Sequence, residues 1–218
     1  MNETLKKIMM TLSLGLLFSA FTGLFAQTAS LEEVCKKLSS NQNTMGDFTQ
    51  IKTLQTNGRK LTSTGKFIFC PLGILWQTEK PFPTSLILTK DSMTQIAANG
   101  KKSVMSGKDN QIFANISETL SSVFSGNAEA LKKNFDCSFS QTGDSWSIYL
   151  LPKDSTIAAV MKSLQLTGTC DSASTNAAAA LTSLEMTESS ENTIRYEFAN
   201  QKYPKELTSD EKELFSNE

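Results

Sequence analysis

An antiparallel β fold with a few short amphipathic helices is the class this sequence predicts. Three observations carry it. Two long stretches of the chain, 47–106 and 136–200, break into short segments with period-two alternation, separated by Asn-Gly, Gly-Asp and proline turns. Helical spacing is confined to short runs, none placed as a crossover between parallel strands, so no βαβ unit is indicated. No internal repeat replaces this order. The chain has 218 residues and a formal net charge of −1, which suits one domain with room for a real core.

At the N-terminus, Lys6 and Lys7 precede an uncharged apolar run from Ile8 to Phe25, and small residues follow. This is the pattern of a signal peptide over residues 1–26, with cleavage between positions 26 and 29. The alternative is an uncleaved anchor, since the run approaches the length of a span. The first cysteine is Cys35, well past that run, so no lipid-attachment cysteine is indicated. The remainder divides into one domain, 27–203, and a charged tail, 204–218. The expectation is an exported, soluble, monomeric protein of the periplasm.

Residues 30–41, SLEEVCKKLSSN, read as a helix. Ser30 and Glu33 fit a capping box, and Leu31, Val34, Cys35 and Leu38 form one apolar face. DFTQIKTLQ follows as a strand, then the Asn-Gly signal of TNGR, then KLTSTGKFIF as the hairpin partner. Pro71 ends that strand because it cannot donate to a ladder. GILWQT is the next strand, and the Lys80-Pro81 and Phe82-Pro83 pairs mark a loop. TSLILTK, MTQIAA and KSVMS complete the first meander, with a turn at Asn99-Gly100.

Residues 113–135 change to helical spacing. Ile116, Leu120, Val123 and Phe124 share a face, Gly126-Asn127 breaks the run, and Asn127 caps a second short helix with Leu131 and Phe135 inward. DCSFSQ and SWSIYLL form a hairpin with Trp146, Ile148 and Leu150 on one face, stopped by Pro152. STIAAVMK gives a helical turn or two and LQLTG a strand. DSASTNAAAA is low in complexity and reads as a loop whose alanines extend into a helix end. LTSLEMTES and NTIRYEFAN form a last hairpin in which Ile194, Tyr196 and Phe198 alternate with Arg195 and Glu197. The tail reads as a loose helix carrying Leu207, Leu214 and Phe215. The total is roughly nine to eleven strands and a few short helices.

Chemistry is excluded more readily than assigned. The chain has no histidine, which removes His-activated nucleophiles and any His metal site. GxSxG, HExxH, P-loop and GxGxxG signatures are absent, and the acidic residues fall in solvated stretches. No catalytic residue, metal or cofactor is therefore assigned. With no basic stripe, nucleic acid is not a partner. Four cysteines, Cys35, Cys70, Cys137 and Cys170, allow two disulfides in three pairings, or four half-buried thiols.

In this order the motifs resemble the LolA-type outer-membrane lipoprotein carriers of diderm bacteria and their wider lipid-carrier superfamily. DFTQ at 47–50 is similar to the family's F-x-Q strand. Gly65 opens the strand leading to a Pro-x-x-x-x-Trp region, here Cys70-Pro71-Leu72-Gly73-Ile74-Leu75-Trp76. A proline loop with an S-L-I-L strand follows at 81–88. A leucine-rich helix ends at Gly126, a strand closes on Leu150-Leu151-Pro152-Lys153, and a hairpin ends in Phe198-Ala199-Asn200. Departures exist. The family's arginine before the proline, tied to closing the lid and handing over cargo, is Cys70 here. The family's aromatic between Pro and Trp is Ile74. Its Asp-Gly after the S-L-I-L strand is Lys90-Asp91, and its tyrosine-containing strand has no counterpart in DSMTQIAANG.

The resemblance implies an unclosed antiparallel β half-barrel covered by a lid of short α-helices. It implies a carrier that shields lipoprotein acyl chains, receiving them from an inner-membrane ABC-type releasing complex and passing them to an outer-membrane acceptor. A carrier of free lipid, a partner-sensing module of the same fold, and a hydrolase are the competing classes. Apolar strand faces serve a plain core as well as a cavity; the resemblance favours the cavity. Its expected wall is Phe48, Ile68, Cys70, Ile74, Trp76, Leu86 and Leu88. The lid's underside is expected at Leu120, Val123 and Phe124. Cys70, Ile74 and Trp76 share parity, which puts them on one face unless the Pro71 corner shifts the register.

Overall fold

The computed structural model describes residues 30–106, 119, 121–123, 126–170 and 179–216. Eleven strands form one sheet: β1 (Thr44–Thr53), β2 (Lys60–Cys70), β3 (Gly73–Lys80), β4 (Thr84–Leu88), β5 (Ser92–Ile96), β6 (Lys102–Ser106), β7 (Phe135–Thr142), β8 (Ser145–Pro152), β9 (Met161–Cys170), β10 (Ala179–Glu188) and β11 (Thr193–Lys202). Their order is β6-β5-β4-β3-β2-β1-β11-β10-β9-β8-β7, with every neighbour antiparallel. Two meanders, β1–β6 and β7–β11, are thus joined where β1 pairs with β11. The outermost strands, β6 and β7, do not pair with each other, so the sheet is an open half-barrel, as the fold-class reading expected.

The first three short helices lie on one face of this sheet, the inner face. The helix α1 (Leu31–Ser39) carries the predicted capping box: the Ser30 amide donates to Glu33 Oε2 at 2.9 Å, and the Glu33 amide donates to Ser30 Oγ at 3.2 Å. Its buried face is the predicted Leu31, Val34, Cys35 and Leu38. The helix α2 (Ala128–Asn134) is capped by Asn127, whose Oδ1 accepts from the Ala130 amide at 3.0 Å. A single turn, α3 (Ser155–Ala158), is capped by Asp154 and buries Ile157. Lys132 of α2 pairs with Glu32 of α1, tying the two helices. Gly126, at φ 72°, sits against α1; a Cβ there would lie 2.9 Å from the Cys35 carbonyl oxygen. Thr119 and residues 121–123 are helical, and Val123 is fully buried.

Several sequence readings shift. The alanines at 179 and 180 open strand β10 rather than ending a helix. Strand β9 begins at Met161, earlier than LQLTG, because α3 is only one turn long. Phe135 is buried as predicted, but as the first residue of β7. The signal-peptide reading at 1–29, the helical positions Ile116, Leu120 and Phe124, and the loop at 171–178 lie outside the described residues. No helix among the described residues is long and apolar enough to cross a membrane.

The tail is part of the fold. Thr208 and Glu211 form a second capping box for α4 (Ser209–Glu213), and Leu207 and Phe215 are each 7% exposed. They pack on the outer face of the sheet against Ile68, Leu75 and Ile87. Leu214 instead faces solvent.

Candidate functional site

The β2–β3 corner decides which residues share the inner face. Cys70 pairs with Gly73 across a two-residue turn, so Phe69 faces Ile74, Ile68 faces Leu75 and Phe67 faces Trp76. Paired residues point to the same side of a sheet. The inner face therefore receives Phe67, Phe69, Ile74 and Trp76, whereas Ile68 and Cys70 turn outward. Counting parity straight through the corner had put Cys70 with Ile74 and Trp76. That reading fails because a two-residue reversal pairs an even position with an odd one. Pro71 ends β2 as expected and occupies the turn.

On the next strands Leu86 pairs with Trp76 and Leu88 with Ile74, which places both on the inner face. Phe48 of β1 and Tyr196 and Phe198 of β11 complete an aromatic surface. Phe67 and Phe69 lie 4.6 Å apart between ring centroids, Phe67 and Phe198 4.9 Å, Phe69 and Trp76 5.3 Å, and Trp76 and Tyr196 5.5 Å. Edge-to-face geometry at Phe69–Trp76 and Phe48–Tyr196 is the favoured arrangement for such rings. Desolvation pushes the Tyr196 hydroxyl up to about 12.

The two halves of the inner face differ. Across β8–β9, Trp146, Ile148, Leu150 and Leu166 are at most 1% exposed, and α1–α3 fill the space above them, whereas Cys137 and Phe139 of the edge strand β7 are partly buried. That half is a packed core. Across β3–β5 and β10–β11, Trp76, Leu86, Met93, Met186 and Tyr196 are only partly buried. Two cavities open there. One, of about 330 Å³, is lined by Phe48, Gln50, Trp76, Thr78, Leu86 and Tyr196 among others. The other, of about 670 Å³, lies between the C-terminal end of α1, the Cys70–Gly73 corner and Ser121, over Phe69, Ile74 and Leu88. The indole Nε1 of Trp76 is buried and has no hydrogen-bond partner.

Of the expected site residues, Phe48, Ile74, Trp76, Leu86, Leu88 and Val123 thus belong to one inner cluster. Leu120 and Phe124 lie outside the described residues. Phe67, Phe69, Tyr196 and Phe198 belong to the cluster too. The alternation of β11 signalled a buried face there, but only strand order brings β11 beside β1. Cys35, Cys70, Cys137 and Cys170 carry thiols rather than disulfides. Burial pushes the Cys35 thiol up to about 11, and Cys170 Sγ accepts from Lys37 Nζ at 3.2 Å. No cluster of acidic or cysteine side chains able to hold a metal occurs among the described residues.

A family model described as outer membrane lipoprotein carrier protein LolA matches residues 39–215. Among solved structures, a DUF1329 family protein from Desulfovibrio piger is similar at 10% identity and TM-score 0.49, covering 86% of this chain and 95% of that one. A LolA superfamily protein from Nitrosomonas europaea is similar at 7% identity and TM-score 0.45, covering 86% and 96% respectively. No curated protein matches the chain.

Proposed function

Because this chain belongs to the LolA family of outer membrane lipoprotein carrier proteins, we propose that it binds the acyl chains of lipoproteins and carries them across the periplasm. The observation that carries this reading is the aromatic part of the inner face, where Trp76, Leu86 and Tyr196 are only partly buried and two cavities lie among the described residues. An acyl chain in water costs about 0.8 kcal/mol per exposed CH₂, so fifteen methylenes amount to roughly 12 kcal/mol. A concave wall of Phe48, Phe69, Trp76, Leu86 and Leu88 offsets that cost without a specific bond to break on release. The helices supply apolar faces that stand in for lipid when the site is empty.

In this reading the N-terminal 26 residues direct export. Cargo arrives from an inner-membrane ABC-type releasing complex and leaves to an outer-membrane acceptor. No catalytic step is involved.

Photocrosslinking tests the assignment. A triacylated peptide with a diazirine in its chains should label Phe48, Trp76 or Leu86 and spare Ile68 and Leu75. Labelling confined to the outer face, or none, would remove the proposal. Binding of phospholipid in place of the peptide would keep the cavity and move the function to free-lipid carriage.

A further inference from the structure

The smaller cavity is apolar on one side and polar on the other. Phe48, Trp76, Leu86 and Tyr196 form the apolar side, and Gln50, Thr78, Thr84 and Gln95 the polar one. Strand register explains the gradient. Along paired β3 and β4, the inner positions run from Ile74 and Leu88 at the Pro71 corner, through Trp76 and Leu86, to Thr78 and Thr84 at the far end. Among the described residues, no charged side chain lines this end. Trp76 stands at the boundary with its Nε1 buried and unpartnered; Trp146 Nε1 shares that state in the packed half, but only Trp76 lines this cavity. Leaving such a donor unsatisfied is costly, because its lost hydration is not replaced. An apolar body with a polar tip is what tryptophan presents at lipid–water boundaries.

We infer that this end of the cavity is a subsite for the linkage carbonyls of an acylated cargo, with Trp76 Nε1 donating to an ester or amide oxygen. The inference rests on the carrier reading and adds an orientation to it. Chains run from Trp76 toward Ile74 and Leu88, and the polar head lies among Gln50, Thr78, Thr84 and Gln95. The uncharged lining suits carbonyls, which need a donor, rather than a phosphate, which favours Arg or Lys. Entering chains part the rings around Trp76, and the carbonyl then supplies the partner its indole lacks in this structure.

The test uses two ligands, a diacylglyceryl-cysteine peptide and its dialkyl-ether counterpart, against wild type and Trp76→Phe. The variant should weaken the ester ligand roughly 3- to 10-fold more than the ether ligand, the range of one neutral hydrogen bond, since both ligands lose the same apolar contact. Indole ¹H–¹⁵N spectra of the wild type give a second readout that does not depend on the variant's folding. The Trp76 resonance should move downfield with the ester ligand only. Trp146, packed over Gly168, serves as the internal control. Equal weakening of both ligands, or equal shifts, would overturn the subsite and leave the carrier intact. Binding of neither ligand to wild type would overturn the carrier reading, and the subsite with it.

Discussion

Gly168 shows how closely the packed half of the sheet is fitted. It pairs with Trp146, and a Cβ there would lie 2.1 Å from the Trp146 ring and 2.1 Å from the Ala180 carbonyl oxygen. Backbone cannot yield as a flexible side chain can. Gly168→Ala should therefore destabilise the protein by about 3 kcal/mol, read from the urea midpoint at constant slope. Glu32 offers a different check. Its hydrogen bond to Lys132 holds the carboxyl down to about 2, from 4.5. A depressed carboxylate contributes fully above its unfolded value and loses that contribution as pH falls through its folded one. The tie between α1 and α2 should persist above pH 4.5 and weaken between 4.5 and 2. Carboxyl NMR should show a Glu32 midpoint near 2 in wild type and a higher one in Lys132→Ala. A wild-type midpoint at 4.5 would mean the pair does not form. Trp146, Ile148 and Leu150 were legible as one face because a strand's alternation is local. Cys70 and Ile68 were not, because their side depends on how many residues the Pro71 corner spends outside the ladder.

Alternation and capping located most elements without any partner in view. The capping box of α1, the Asn127 cap and the hairpin at Gly143 rest on contacts within a few residues. The role of the tail does not. It reads as a charged, loose helix, and nothing local says that Leu207 and Phe215 cover Ile68, Leu75 and Ile87, residues more than a hundred positions away. The sequence around these three gives no hint that both faces of β2–β4 are apolar for separate reasons, cavity inside and tail outside. Truncating the cover, Leu207→Ala with Phe215→Ala, should lower stability by roughly 3–5 kcal/mol. It should also expose an apolar patch that drives self-association, measurable by sedimentation velocity. Unchanged stability and a clean monomer would make the tail an ornament. The double variant should still bind acylated peptide, because its two positions lie on the face opposite the cavity.

The family pattern spread along the chain, so the half-barrel could be read before any coordinates. The division of labour within it could not. Apolar alternation looks the same whether helices fill the space above a face or leave it open. Among the described residues, only register and helix placement separate the helix-covered β8–β9 part from the partly buried surface across β3–β5 and β10–β11. In the carrier reading, that division sets a well-packed frame beside the surface that would take up and release cargo. The most direct test is native mass spectrometry of the protein purified without detergent, with whatever it releases then identified. The account predicts acylated peptide or whole lipoprotein, lost when Trp76 and Leu86 are both replaced by Asp. A bare protein mass that stays bare when acylated peptide is added would contradict it, and the partly buried part would then be no binding surface.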